Sequence, residues 1–267
     1  MEPVAITTLI PAYNAAAYLE RAVDSAIRQS SPPDEILVVD DGSTDATAEI
    51  AASLGPPVRV VRHDRNLGLA AARNTGIRAA KGDWIALLDA DDLWYPSKLE
   101  RQRDAIRRAT AGVGVVFCLT RITAADGTQW VDCDDVPPPQ RDPDGFMRAL
   151  LRKNAISGSG CSPLVRRELL LQVGGYDESL RTCEDWDLWL RLARLARFLR
   201  VDEILCEGFA RAGGLSLELD RLLDDARTVL RRHLPAFVPD PAAVRDLERH
   251  ALALIGSYVA SLRRSAA

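Results

Sequence analysis

The order of segments in this chain predicts an α/β fold: a mainly parallel sheet flanked by helices, with a helical C-terminal tail. Two observations carry the sheet. Short β-rich apolar runs recur at Val4–Ile10, Ile36–Val39, Val58–Val61, Trp84–Leu88 and Val113–Cys118. Stretches with helical spacing lie between them, the arrangement that returns each strand parallel to the last. A third observation gives the tail, where Leu219, Leu222, Leu223 and Leu230 share one periodic stripe.

Each element has a local reason. Val4–Ile10 is closed by Pro11, and Tyr18, Leu19, Ala22, Val23, Ala26 and Ile27 then form a helical face. Ile36–Val39 is closed by Asp40-Asp41-Gly42-Ser43, with Ser43 or Thr44 expected to cap a helix through Ala48, Ala51 and Leu54. A helix from about Leu69 to Ala80 follows the third run. Pro96 suits the first position of a helix reaching about Ala109. Beyond residue 120 the pattern changes. Asp132 to Gly145 is rich in Asp and Pro and predicts a long loop, and Ser157-Gly158-Ser159-Gly160 predicts a flexible turn. A helix carrying Trp186, Trp189, Leu190 and Leu192 begins near Glu184–Asp185. The expected divisions are 1–120, 121–215 and a tail over 216–267.

Composition excludes several classes. The 267 residues are 47% hydrophobic and 27% charged, ordinary for a globular chain, and a net charge of −4 gives no reason to expect nucleic acid as a partner. Cys118, Cys133, Cys161, Cys183 and Cys206 are odd in number, widely spaced and without a CxxC pair. Reduced thiols in a cytoplasmic protein are expected, rather than a zinc site or disulfide framework. Glu2 stands where a signal peptide would be basic, so no signal peptide is expected. The run Ala251 to Leu262 is too short and too mixed to span a bilayer.

The chemistry lies at strand ends, where α/β sheets bind ligands. Trp84–Leu88 runs into Asp89-Ala90-Asp91-Asp92. In an extended chain Asp89 and Asp91 point the same way, and hard oxygen ligands suit Mg²⁺ or Mn²⁺ shared with substrate phosphates. A solvated Asp-rich turn is the alternative. The first strand ends in Pro11-Ala12-Tyr13-Asn14 and the second in Asp40-Asp41, and a parallel sheet puts all three ends on one edge. A ring that packs on a base, a carboxylate that accepts a base N–H and a cation that neutralises a diphosphate would together suit a nucleotide diphosphate. Asp-Gly-Ser-Thr alone is also a good turn and cap. Gly68 opens a helix rich in Ala, on which Arg73 is either a donor near a phosphate or a surface residue. Glu184 and Asp185 sit against two tryptophans. Such a carboxylate can act as a general base, although a helix N-terminus lowers its pKa while burial raises it.

Five stretches in order are together specific. They are Leu9-Ile10-Pro11-Ala12-Tyr13-Asn14, Val38-Val39-Asp40-Asp41-Gly42-Ser43-Thr44-Asp45, Asn66-Leu67-Gly68 with Ala72-Arg73-Asn74-Thr75-Gly76, Leu88-Asp89-Ala90-Asp91-Asp92, and Gly174-Gly175-Tyr176-Asp177 with Glu184-Asp185. Over about residues 4 to 215 the chain resembles the family 2 inverting glycosyltransferases of the GT-A fold. The resemblance implies a nucleotide-sugar-binding half over 1–120 and an acceptor and catalytic-base half over 121–215. It implies base contacts from Ala12, Tyr13 and Asp41, with Asp40 alongside, nucleotide binding by Pro11 and Asn14 as well, and Arg73 near the nucleotide. Asp89-Ala90-Asp91 matches the DXD motif that handles ribose and metal, with Asp92 a further ligand, and Asp185 matches the catalytic base.

The implied reaction moves one sugar from a nucleotide-diphosphate sugar, UDP-linked by default, to a hydroxyl of a glycan or lipid-linked acceptor. Mn²⁺ or Mg²⁺ is the implied cofactor. Family members often carry a His in the loop after the catalytic helix. Here the stretch from Phe209 to Ser216 has none, with Arg211 as its basic residue. Motifs and membrane spans of processive synthases are missing, which favours single-sugar transfer. The location expected is cytoplasmic, at the inner face of the membrane. The tail's stripe is expected to pack on the body or on a second copy of the chain, a peripheral membrane contact being the alternative. A catalytically silent nucleotide-binding subunit is the competing function; the intact Asp89, Asp91 and Asp185 argue against it. A nucleotidyltransferase would carry a Gly-rich basic signature where Pro11-Ala12-Tyr13-Asn14 stands.

Overall fold

The structure is a computed structural model and describes residues 4–109, 111–210 and 218–265. Strands β1 (Ile6–Ala12), β2 (Glu35–Asp40), β3 (Val58–Arg62) and β4 (Trp84–Leu87) lie parallel in the order β3-β2-β1-β4. Helices α1 (Leu19–Ile27), α2 (Thr47–Ser53) and α3 (Leu69–Ala79) make the crossovers that parallel pairing requires. Ala12 pairs with Asp40, and Asp40 with Arg62, so these strands end level. The Leu88 N–H still bonds to the Leu9 carbonyl, so the acid cluster leaves the sheet at the same edge.

The second half is mixed rather than parallel. Strand β8 (Leu164–Arg166) runs antiparallel between β4 and β6 (Val113–Ala124). Strand β9 (Arg197–Ala210) pairs parallel with β6, and β5 (Leu93–Trp94) closes the order antiparallel to β9. Strand β7 (Gln129–Asp132) forms a hairpin with β6. The other helices are α4 (Lys98–Arg108), α5 (Pro143–Leu150), α6 (Arg167–Gln172), α7 (Glu184–Leu192), α8 (Leu219–Phe237) and α9 (Pro241–Ser265).

Strand alternation divides the interior into two cores. Leu9, Leu37, Val39, Ile85, Leu87, Val115 and Phe117 face one side of the sheet, with Trp186 and Trp189 of α7. Ile10, Ile36, Val38, Trp84, Ala86, Val116 and Cys118 face the other, under α1 and α4. Both faces are covered, which is why these strands read as unbroken apolar runs. Ala226, Val229, Leu230 and Leu234 of α8, with Ala251 of α9, join the α7 core, so the tail packs on the body. Among the described residues no helix is long and apolar enough to cross a membrane. All five cysteines are free thiols.

Several boundaries depart from the sequence reading. Helix α2 begins at Thr47, and the acceptor for the Thr47 N–H is Asp45 Oδ1 at 3.0 Å, not Ser43 or Thr44. The expected long loop ends early. Asp142 Oδ1 accepts from the Gly145 N–H at 2.8 Å and Pro143 opens α5, so this Asp and Pro serve as a helix start. Helix α4 begins at Lys98, with Pro96 in the preceding turn.

One buried carboxylate ties the tail to α7. Asp187, fully buried, accepts from Arg191 Nε at 2.7 Å and Arg232 Nη1 at 2.9 Å, and bonds His233 Nε2 at 2.8 Å. Burial alone would raise its pKa; the His233 bond and the Arg191 charge outweigh burial and lower it to about 2. A carboxylate depressed below its ordinary 3.8 adds stability that is present above that value and lost as pH falls through about 2. Asp187→Asn should therefore cost about 2 kcal/mol near neutral pH by urea unfolding, the deficit shrinking on acidification.

Candidate active site

The end of β1 is built around its neighbour loop. Pro11 and Ala12 are buried in the strand, while Tyr13 emerges 48% exposed. Asn14 adopts a left-handed conformation, φ 50°, that lets its Oδ1 accept from the Thr44 N–H at 2.9 Å. Its own N–H donates to Ser43 Oγ at 3.0 Å. Asp40, with no exposed surface, accepts from the Ser43 N–H at 3.1 Å and pairs with Arg62 Nε at 3.0 Å. Gly42 has φ +70°, and a Cβ there would collide with the backbone of Arg65 and Asn66.

Asp41 accepts from the Leu67 N–H at 2.9 Å and the Gly68 N–H at 2.8 Å, and bonds His63 Nδ1 at 2.7 Å. His63 Nε2 reaches Thr75 Oγ1 at 3.0 Å. The Asp41 carboxylate therefore holds the 63–68 loop. His63 carried no signal in the sequence, since only the fold brings it to Asp41. An open depression lined by Arg62, His63, Asp64, Arg65 and Leu67 adjoins this edge.

The acid cluster is not extended. The Asp92 N–H donates to the Asp89 carbonyl at 3.1 Å, closing a turn at Ala90 and Asp91. The i, i+2 argument for convergence of Asp89 and Asp91 therefore fails. The Asp89 N–H donates to the Gly160 carbonyl at 2.9 Å, and a Cβ on Gly160 would collide with the Asp89 carboxylate. The 157–160 segment is thus a buttress, its glycine needed for close approach. Asp92 accepts from the Phe209 N–H at 3.3 Å. Burial and the charges of Asp89 and Asp91 push its pKa well up. Residues 211–216, the stretch without a His, lie outside the described residues.

A divalent cation fits this donor set chemically. The ligands are hard carboxylates, and a neighbouring cation would offset the burial and the Asp89 and Asp91 charges that raise the Asp92 pKa. Among the described residues no three His, Cys, Asp or Glu side chains form a ready metal cage. A cation here would be held by one or two carboxylates together with donor phosphates, the usual mode of Mg²⁺.

Arg73 joins the two halves. It is 3% exposed, which excludes the surface-residue alternative. Its Nη2 donates to Asp89 at 2.8 and 3.2 Å, its Nη1 donates to Glu184 Oε1 at 2.7 Å, and its guanidinium lies 5.2 Å over the Tyr176 ring. Asn74 beside it accepts from the Tyr176 N–H at 2.7 Å and donates to the Tyr176 carbonyl at 2.9 Å, fixing the 174–178 segment.

Asp185 opens α7 next to Glu184. Its Oδ2 accepts from Asn154 Nδ2 at 2.8 Å, and its Oδ1 from the Trp186 N–H at 2.7 Å. Ser159 Oγ accepts from Asn154 at 2.8 Å and from Trp189 Nε1 at 3.1 Å, so a polar chain aims the carboxylate. The contest between helix dipole and burial is decided for burial. Glu184 rises to about 7, through burial and the Asp185 charge against the Arg73 charge. Burial also raises Asp185, despite Arg73 and its hydrogen bonds.

The model of the family described as "Glycosyl transferase family 2" matches residues 7–174. The succinoglycan biosynthesis protein ExoU of Rhizobium meliloti is 32% identical over 261 residues, 93% of this chain and 75% of its own length. Against seven other curated relatives the chain spans between 28% and 63% of their length. Among solved structures, S. aureus TarS 1-349 in complex with UDP-GlcNAc superposes with TM-score 0.73 at 18% identity, over 93% of this chain and 71% of that one. The mannosyltransferase PcManGT from Pyrobaculum calidifontis, in complex with GDP-Man and Mn²⁺, gives TM-score 0.66 at 24% identity, over 98% and 76%. Both likenesses show the GT-A arrangement.

Asp41 offers a test of the loop. Asp41→Asn keeps one acceptor but leaves a buried N–H unpaired, and should cost the free chain about 1–3 kcal/mol by urea unfolding. Unchanged stability would show that the Asp41 bonds are not what holds the loop.

Proposed function

Because the chain belongs to glycosyl transferase family 2, we propose that it moves one sugar from a nucleotide-diphosphate sugar to an acceptor hydroxyl, inverting the anomeric carbon. The observation that carries this reading is the shared arginine. Arg73 bonds Asp89 of the acid cluster and Glu184 beside Asp185, making one electrostatic unit of a donor site and a base. UDP is the donor nucleotide we assign, supported by TarS being described with UDP-GlcNAc. We assign a glycan or lipid-linked acceptor met at the inner face of the membrane; the naming of ExoU for succinoglycan biosynthesis supports the glycan part of that assignment.

Each residue then has a part. Tyr13, the exposed ring at the β1 end, packs on the base, while Pro11, Ala12 and Asn14 shape the floor beneath it. Asp40 and Asp41 act through the loops they hold. Asp89, aimed by Arg73, faces the ribose with Ala90. Asp91 and Asp92 would hold Mn²⁺ or Mg²⁺, with Asp89 giving least because Arg73 already claims it. When bound, the cation supplies neutralisation of the departing diphosphate. PcManGT is described with Mn²⁺, which supports that assignment.

Asp185 takes the proton from the acceptor hydroxyl as its oxygen bonds to C1. The bond from C1 to the diphosphate oxygen breaks in the same displacement, leaving no covalent enzyme intermediate. Asn154 and the Trp186 N–H fix the carboxylate, and its raised pKa makes it a stronger base than a free Asp.

Nucleotide release from UDP-GlcNAc, UDP-glucose, UDP-galactose and GDP-mannose, with Mn²⁺ and with chelator, tests the reading. Turnover of one donor that chelator abolishes is expected; turnover of none would contradict it. Asp185→Asn should lower kcat by about 10²–10⁴-fold while UDP binding stays near wild type. Full activity in that variant would remove Asp185 as the base. Ionised Asp185 is the active form, so kcat should fall on acidification through a midpoint above the ordinary Asp value of 3.8.

A further inference from the structure

We infer that helix α8 positions the base, with Asp225 and His233 as positioning residues that hold the start of α7 through two anchors. The inference rests on Asp185 being the base. Both helices lie beyond the segment 7–174 matched by the family model.

The first anchor precedes the base. Asp225 Oδ2, in a side chain buried within α8, accepts from the Arg181 N–H at 3.2 Å, the Thr182 N–H at 2.9 Å and Thr182 Oγ1 at 2.9 Å. The second follows it. Asp187, two residues past Asp185, bonds His233 Nε2 at 2.8 Å and accepts from Arg232 Nη1 at 2.9 Å. Arg232 also donates to Asp177 Oδ2 at 2.7 Å, tying in the 174–178 segment. The chain is therefore gripped at 181–182 and at 187, on either side of Glu184 and Asp185.

Local structure explains why an outside grip is needed. Helix α7 has no side-chain cap of its own. Its N-cap, Cys183, sits at φ 57°, a left-handed conformation that a non-glycine residue holds only when its surroundings impose it. Asp225 fixes the residue before that turn, and His233 fixes the first turn of the helix after it. The apolar side of α8, Ala226, Val229, Leu230 and Leu234, packs into the core of Trp186 and Trp189, so the anchors sit on a rigid base. Misplacement of a catalytic group by about 1 Å can cost 10²-fold.

The test measures Mn²⁺-dependent nucleotide release from whichever of the four donors above the full chain turns over fastest. Asp225→Ala should lower kcat about tenfold or more, with donor KM and UDP affinity unchanged. Asp225→Asn, which keeps an acceptor oxygen, should restore most of the rate. Thr182→Val removes a single donor without opening a cavity and should lower kcat a few-fold. Melting temperature checks folding, and where Asp225→Ala does not fold, Thr182→Val decides. Wild-type kcat in Asp225→Ala or Thr182→Val, or kcat and UDP affinity falling together in them, would overturn the positioning role. Asp185→Asn run alongside separates the two failures: if it stays active the base assignment fails, and if it is dead while the α8 variants are unaffected only the positioning role fails.

Discussion

The guanidinium of Arg73 is the contact on which the rest of the site depends. It is buried, and it lies between carboxylates from two segments 95 residues apart in the chain, Asp89 and Glu184. Burying a cation is costly unless its partners are well placed, and removing one partner leaves an uncompensated charge in a low-dielectric interior. The bridge therefore links the strand edge that carries the acid cluster to the helix start that carries Asp185. It also explains the electrostatics. Asp89, Glu184 and Asp185 would repel one another, and the single cation holds Glu184 in a state that burial alone would neutralise more fully.

Much of the first half was legible in the chain. The parallel strands β1 to β4 are buried on both faces and so write themselves as apolar runs, and the loops at their ends are rich in Asp and Gly because they turn there. What could not be read is what each carboxylate bonds to. Asp41 lends its oxygens to a loop about 25 residues away in sequence. Arg73 faces inward because α3 packs on β1, where Gly76 leaves no room for a Cβ beside Leu9, and nothing in Ala-Ala-Ala-Arg-Asn says which way a helix will roll. The turn at Ala90–Asp91 broke an argument that assumed an extended chain.

The second half was harder for a different reason. Strand β9 carries Asp202, Glu203 and Glu207, and β8 is three residues long, so neither shows the apolar run that marked the earlier strands. Asn154 and Ser159, which aim Asp185, come from irregular segments with no periodic signal. The leucine stripe of the tail was readable as a face seeking a partner. That the partner is the helix carrying Asp185 emerges only from the fold, because Asp225 and His233 lie among polar residues that look solvent-facing in sequence.

The central claim is that Arg73 and Glu184 form one energetic unit joining the two halves. A double-mutant cycle of Arg73→Met and Glu184→Gln, read by urea unfolding near neutral pH, tests it most directly. The account predicts a coupling energy of about 1–3 kcal/mol, the double variant being more stable than the sum of the singles implies. Additivity to within about 0.5 kcal/mol would contradict it.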